Sequence, residues 1–152
     1  MRESGILMHI TSLPAPYGIG TMGKDAYAFV DFLVRAGQRY WQILPLTPTR
    51  YGGSPYQSCS TFAGNHYLID LDRLADEGLL KKEEIQNIPW GSNPARVDFG
   101  AMYAHRMNVL RQAFQRFTPD GAYETFVEQN RSWLEDYALF TALKDTLGGK
   151  PW

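Results

Sequence analysis

The run Ile6-Leu7-Met8-His9-Ile10 is short and mostly apolar, and Thr11-Ser12-Leu13-Pro14 ends it. This predicts a strand followed by a loop. The loop continues through Pro16-Tyr17-Gly18-Ile19-Gly20, too rich in Pro and Gly for a regular element. From Lys24 to Ala36 the pattern turns helical: Ala26, Phe29, Val30, Leu33 and Val34 recur at steps of three and four, and Gly37 is a natural stop. Tyr40-Trp41-Gln42-Ile43-Leu44 predicts a second strand, ended by Pro45 and Pro48. Strand, helix and strand make a βαβ unit, whose two strands are expected to be parallel. Their near-continuous hydrophobicity predicts burial on both faces, as in an α/β protein.

Residues 50–65 form a long loop that carries Tyr51, Ser54, Tyr56 and Phe62 among glycines, serines and a proline. Loops of that length inside a domain are usually functional or disordered, and the interspersed aromatics argue against disorder. His66 to Leu71 predicts a short extended segment, and Leu74 to Leu80 a helical turn. The last third is helical. Asp98 is placed to cap a helix whose Tyr103, Met107, Leu110, Phe114 and Phe117 share one face. Thr118-Pro119 has the form of a cap and first-turn proline, and Ser132 to Glu135 has capping-box spacing ahead of Trp133, Tyr137 and Phe140. Repeats and low-complexity stretches are absent from the sequence.

Two parallel strands cannot close a barrel, and a complete α/β barrel needs about 250 residues. The architecture expected is therefore the opening βα units of a larger α/β domain over residues 1–152. Within it, residues 50–97 form a loop-rich segment and residues 98–147 a helical insertion.

Composition narrows the class. The 152 residues are 44% hydrophobic and 20% charged, with a formal net charge of −1. That is an ordinary globular balance, with nothing to draw the chain to nucleic acid or an anionic membrane. A single cysteine, Cys59, excludes an internal disulfide and a multi-thiolate zinc site, and fits a reducing compartment. With no signal-like N-terminus and no apolar run near the ~20 residues of a membrane span, a cytoplasmic protein is expected. The aromatic fraction is high, at 14%. Several aromatics sit beside Gly, Pro and Ser, where exposed rings are able to hold the apolar faces of sugars.

Glycosidic chemistry takes two carboxyl groups flanking the scissile bond, carried in α/β barrels at the C-terminal ends of strands. The first strand leads into Thr11-Ser12-Leu13-Pro14 and the second into Thr47-Pro48-Thr49-Arg50, without a carboxylate in either. Asp70 and Asp72 read as structural, while Asp25, Asp31, Glu135 and Asp136 read as solvated or capping groups on helices. His9, His66 and His105 form no metal-ligand pattern, and His9 reads as a core or supporting histidine. Gly18, Gly20 and Gly23 lack the spacing of a phosphate-binding fingerprint, which argues against a nucleotide binder. Catalytic and metal-ligating candidates are thus both none.

The string His9-Ile10-Thr11-Ser12-Leu13-Pro14 with Pro16-Tyr17-Gly18-Ile19-Gly20 resembles the opening of the amylomaltases, the 4-α-glucanotransferases of glycoside hydrolase family 77. So do Tyr40-Trp41-Gln42-Ile43-Leu44-Pro45-Leu46, Ser54-Pro55-Tyr56-Gln57-Ser58, Phe62-Ala63-Gly64-Asn65, Leu68-Ile69-Asp70 and Trp133-Leu134-Glu135-Asp136-Tyr137-Ala138-Leu139-Phe140, in the family's order. His66 stands where the family commonly has proline, and Cys59 where an aromatic or small residue is usual. The resemblance implies a (β/α)8 barrel and a retaining mechanism without metal or organic cofactor. It implies transfer of 1,4-α-glucan segments among maltooligosaccharides and amylose-type glucans, with glucose as an acceptor. The family's catalytic Asp and Glu residues lie on later strands and have no counterpart here, so this chain alone is expected to be inactive. The binding residues that carry over are Tyr56, stacking on the sugar at the cleavage site, Ser54 on the same loop, and Tyr51 with Tyr103 in a secondary groove. Tyr103 also fits the apolar stripe of its helix, and a core-facing position stays open for it. The other reading is a non-catalytic glucan-binding module that uses the same tyrosines.

Overall fold

The computed structural model describes residues 2–49, 53–93 and 95–148. Its sheet pairs β1 (Gly5–Leu7) with β2 (Tyr40–Gln42) in parallel, Gly5 opposite Tyr40 and Leu7 opposite Gln42. The connection is α1 (Lys24–Arg35), so the expected βαβ unit is present. Both strands are shorter than expected. Met8 still donates to the Gln42 carbonyl, but the chain then turns into a 3₁₀ segment at Ile10–Ser12.

Burial on both strand faces is not what the structure shows. All three β1 residues are exposed, Leu7 at 62%, as are Tyr40 and Gln42 of β2. Apolar sequence reports what a strand is built to meet, and no further strand or helix of these residues covers those faces. The same holds on α1, where Leu33 is buried while Val30 and Val34 face outward.

Two apolar clusters hold the chain together. One lies between the sheet, α1 and the 3₁₀ segment His66–Leu68: Ile10, Leu13 and Leu68 are buried, with Met8, Ala26, Phe29, Trp41 and Leu46 against them. The Trp41 ring meets Phe29 edge-on at 4.9 Å and its indole N–H donates to the Met8 carbonyl at 2.7 Å. The apolar body is thereby buried without stranding its polar edge.

The second cluster joins the Tyr17–Ile19 loop to α2 (Leu71–Asp76), α3 (Lys82–Gln86) and α4 (Phe99–Arg116), around Leu71, Leu80, Ile85, Trp90, Met102 and Val109. Gly18 adopts φ +78°, and a Cβ there would press on the Trp90 backbone at 2.5 Å. A left-handed, tightly packed position of this kind suits glycine alone. The glycines of this loop thus serve packing.

Several local expectations are corrected. His66–Leu68 is a 3₁₀ segment rather than extended, because the Asn65 side chain accepts from the Tyr67 amide and caps it. The helix expected at Leu74–Leu80 begins at Leu71, where the Asp70 carboxylate takes the Arg73 amide. Asp120, not Thr118, caps α5 (Gly121–Gln129). Ser132 lies inside α6 (Arg131–Thr146), which follows directly from Asn130. Asp98 caps α4 as expected, accepting from Ala101 at 3.0 Å.

Candidate functional site

The α4 helix turns a different face inward from the one its pattern suggested. Met102, Arg106, Val109 and Ala113 are buried, whereas Tyr103 is 82% exposed and Phe114 faces outward. The two stripes share four-three spacing and differ by one residue, about 100° of rotation. The choice between them turns on Arg106, which periodicity counts as polar. Its guanidinium is wholly buried, donating from Nη2 to the Tyr67 carbonyl at 3.2 Å and to the Ile69 carbonyl. It also lies 5.9 Å from the Trp90 ring centre. Burial pulls its pKa down to about 10, partly opposed by the Asp70 carboxylate. Arg106 therefore staples the 67–69 backbone to α4. Sequence reasoning missed it, since an arginine inside a helical pattern carries no signal of burial.

With that rotation set, Phe99 and Tyr103 lie one turn apart on the exposed side of α4. Gly53 brings the long loop to the same place: it adopts φ +69°, and a Cβ on it would lie 3.8 Å from the Phe99 ring. Directly after it, Ser54 to Gln57 forms a tight turn closed by the Gln57 amide on the Ser54 carbonyl at 3.1 Å. Pro55 occupies the turn position its fixed φ favours. Tyr56 sits at the tip, 73% exposed, with its amide 3.4 Å from Ser54 Oγ. An antiparallel bridge between Thr49 and Ser58 pins the base of the loop. Tyr56 and Ser54 thus follow directly on a glycine that lies near the Phe99 ring, and the Tyr56, Phe99 and Tyr103 rings are all open to solvent. Tyr51 lies outside the described residues.

Asp70, Asp72 and Glu84 are committed to structure. Asp70 caps α2 and accepts the Thr21 hydroxyl at 2.5 Å, and Asp72 accepts the Tyr17 hydroxyl at 2.7 Å. The Tyr17 phenol is accordingly pushed well above its ordinary range, first by burial and then by that bond to a carboxylate. Glu84 is held at about 2 by its paired bonds to the Arg116 guanidinium and by the Lys81 amide. His9 is half-buried at the end of β1, where burial lowers its pKa and its Nδ1 has no partner among the described residues. Among the described residues no group of three or more His, Cys, Asp or Glu side chains is placed to hold a metal.

The family model described as 4-alpha-glucanotransferase, glycoside hydrolase family 77, matches residues 8–152. The chain belongs to the 4-alpha-glucanotransferase family. The family's enzyme from Streptococcus pneumoniae strain TIGR4 is 49% identical over 154 residues, and that from Thermus thermophilus 51% identical over 157. Each alignment covers 99% of this chain and 30% of the relative. Among solved structures, an amylomaltase from Streptococcus agalactiae in complex with acarbose superposes with a TM-score of 0.91 at 48% identity. It too is matched over 99% of this chain and 31% of its own. The chain therefore spans about 30% of the length of the 4-alpha-glucanotransferases it matches.

Proposed function

We propose that this chain is the glucan-holding opening portion of a 4-α-glucanotransferase, and that β1, α1 and β2 begin a (β/α)8 barrel spanning residues 1–152 and beyond. In this reading, residues 50–97 carry the glucan-binding loop and residues 98–147 the helical insertion. The enzyme transfers 1,4-α-glucan segments between maltooligosaccharides or amylose-type chains, or to glucose, with retention and without a cofactor, in the cytoplasm. Among the described residues no helix is long and apolar enough to cross a membrane.

The observation that carries the reading is the exposed Tyr56 ring on its proline-stiffened turn, which follows Gly53 near the Phe99 ring of α4. A phenol held this way offers an apolar face to a sugar ring and a hydroxyl to its rim. Ser54 adds a polar contact on the same turn, and Tyr103 with Tyr51 forms the secondary platform. The retaining chemistry needs a carboxyl pair about 5–5.5 Å apart, and neither partner is expected from this segment. The test is glucose release from maltotriose. The full-length protein is expected to release glucose while producing longer maltooligosaccharides, and residues 1–152 alone are expected to release none. Turnover by residues 1–152 would overturn this division of labour.

A further inference from the structure

Two residues beyond Tyr56 the same loop forms one wall of an open groove of about 490 Å³ whose other wall is α6. Loop residues Ser58 to Phe62 face Trp133, Asp136, Tyr137 and Phe140 across it. We propose that this groove is a further glucan-binding subsite, which takes the α-1,4-linked chain as it leaves Tyr56. The proposal rests on the reading of Tyr56 as a sugar platform and extends it.

The groove's chemistry selects its occupant. The Phe62 ring, 70% exposed, stacks on Trp133 at 5.8 Å between centroids and 20° between planes. Tyr137 lies 6.2 Å beyond Trp133. The Trp133 indole N–H donates to Asn130 Oδ1 at 3.1 Å, which fixes the ring and satisfies its polar edge. The loop wall is held by its own serines: Ser58 Oγ donates to the Ser60 carbonyl at 2.7 Å, and Ser60 Oγ accepts from the Phe62 and Ala63 amides. The site is thus aromatic faces in fixed orientation, edged by hydroxyls and the Asp136 carboxylate. A pyranose ring pairs an apolar C–H face with a rim of hydroxyls, and this arrangement matches both. Its volume lies within the ordinary range for small-ligand sites. Among the described residues no Lys or Arg lines it, so with Asp136 present an anionic ligand is disfavoured. Neither wall is a strand, so an extended peptide has no edge to add to. Continuity points the same way, because the Thr49–Ser58 bridge joins the groove's first residue to the base of the Tyr56 turn.

Cys59 lines the groove and reports on it. The test is the rate of alkylation of Cys59 in the full-length protein, read by peptide mass spectrometry with and without maltoheptaose. Cys59 is expected to react in the free protein and at least about five-fold more slowly at saturating maltoheptaose. Phe62→Ala is expected to abolish that protection while leaving binding of a short glucan such as maltotriose unchanged. Tyr56→Ala is expected to weaken binding of both lengths and to leave protection intact at saturation. If maltoheptaose binds through Tyr56 but Cys59 reacts at its free rate, the groove proposal fails and the Tyr56 reading stands. If Cys59 is unreactive even without sugar, a protein segment covers the groove and the proposal fails likewise. If neither glucan binds at all, both readings fail.

Discussion

His66 stands where the family resemblance leads one to expect proline. It opens the 3₁₀ segment behind the Asn65 cap, at a first-turn position that proline also suits. Burial lowers its pKa below 6.5, the Arg106 charge adds to that, and Asp145 partly opposes both. The folded state therefore takes up a proton less readily than the unfolded chain. This His contributes full stability above pH 6.5, lost progressively as pH falls below that value. We expect His66→Pro to flatten the stability profile between pH 6.5 and about 5, with stability at pH 7.5 changed by no more than ~1 kcal/mol. Urea titrations across that range check it, and an unchanged acid slope would show that His66 is not its source. Arg106 marks the limit of reading single residues from sequence. A buried guanidinium needs carbonyls and a ring face, here brought from two separate segments at 67–69 and Trp90, and nothing in its own neighbourhood of the chain announces them.

At the scale of elements, caps were legible where one side chain decides them, and faces were not. Asp98 was readable because a carboxylate ahead of an apolar stripe has one common use, whereas Thr118-Pro119 lost its expected role to Asp120 two residues on. The α4 face departs from the expected one because two stripes of equal period compete, and Arg106 with the cluster that takes in Met102, Val109 and Ala113 decides between them from outside the helix. That rotation also closes the choice left open for Tyr103, which faces solvent. Removing the cap by Asp98→Ala is expected to cost about 1 kcal/mol. In the full-length protein, where the unfolding entropy is larger, that lowers the melting temperature by roughly 1–2 °C. Calorimetry measures it, and an undisturbed Tm would mean that the Asp98 bond to Ala101 contributes nothing net. The strands were legible in order and direction. Their lengths were not, since an apolar run does not say where β1 gives way to the 3₁₀ segment at Ile10.

For the whole molecule, the exposed apolar residues of β1, β2 and α1 are the main physical liability. Ile6, Leu7, Tyr40, Val30 and Val34 all face outward, and the two-stranded sheet has unpaired edges. Residues 1–152 in isolation are therefore expected to self-associate, with sedimentation velocity showing larger species as concentration rises. A monomer with a sharp thermal transition would contradict this. The exposed aromatic loop was legible from sequence because aromatics set among Gly, Pro and Ser fall where the chain turns rather than packs, and the structure shows Tyr56 and Phe62 open to solvent. The measurement that reaches the centre of the account is kcat/KM for maltotriose in the full-length protein carrying Tyr56→Ala, beside Tyr56→Phe. Loss of about 2 kcal/mol of apolar contact corresponds to a fall of roughly 30-fold for the alanine variant. The phenylalanine variant, which keeps the ring, is expected to stay within a few-fold of the parent. An alanine variant as efficient as the parent would contradict the assignment of Tyr56 as the sugar platform.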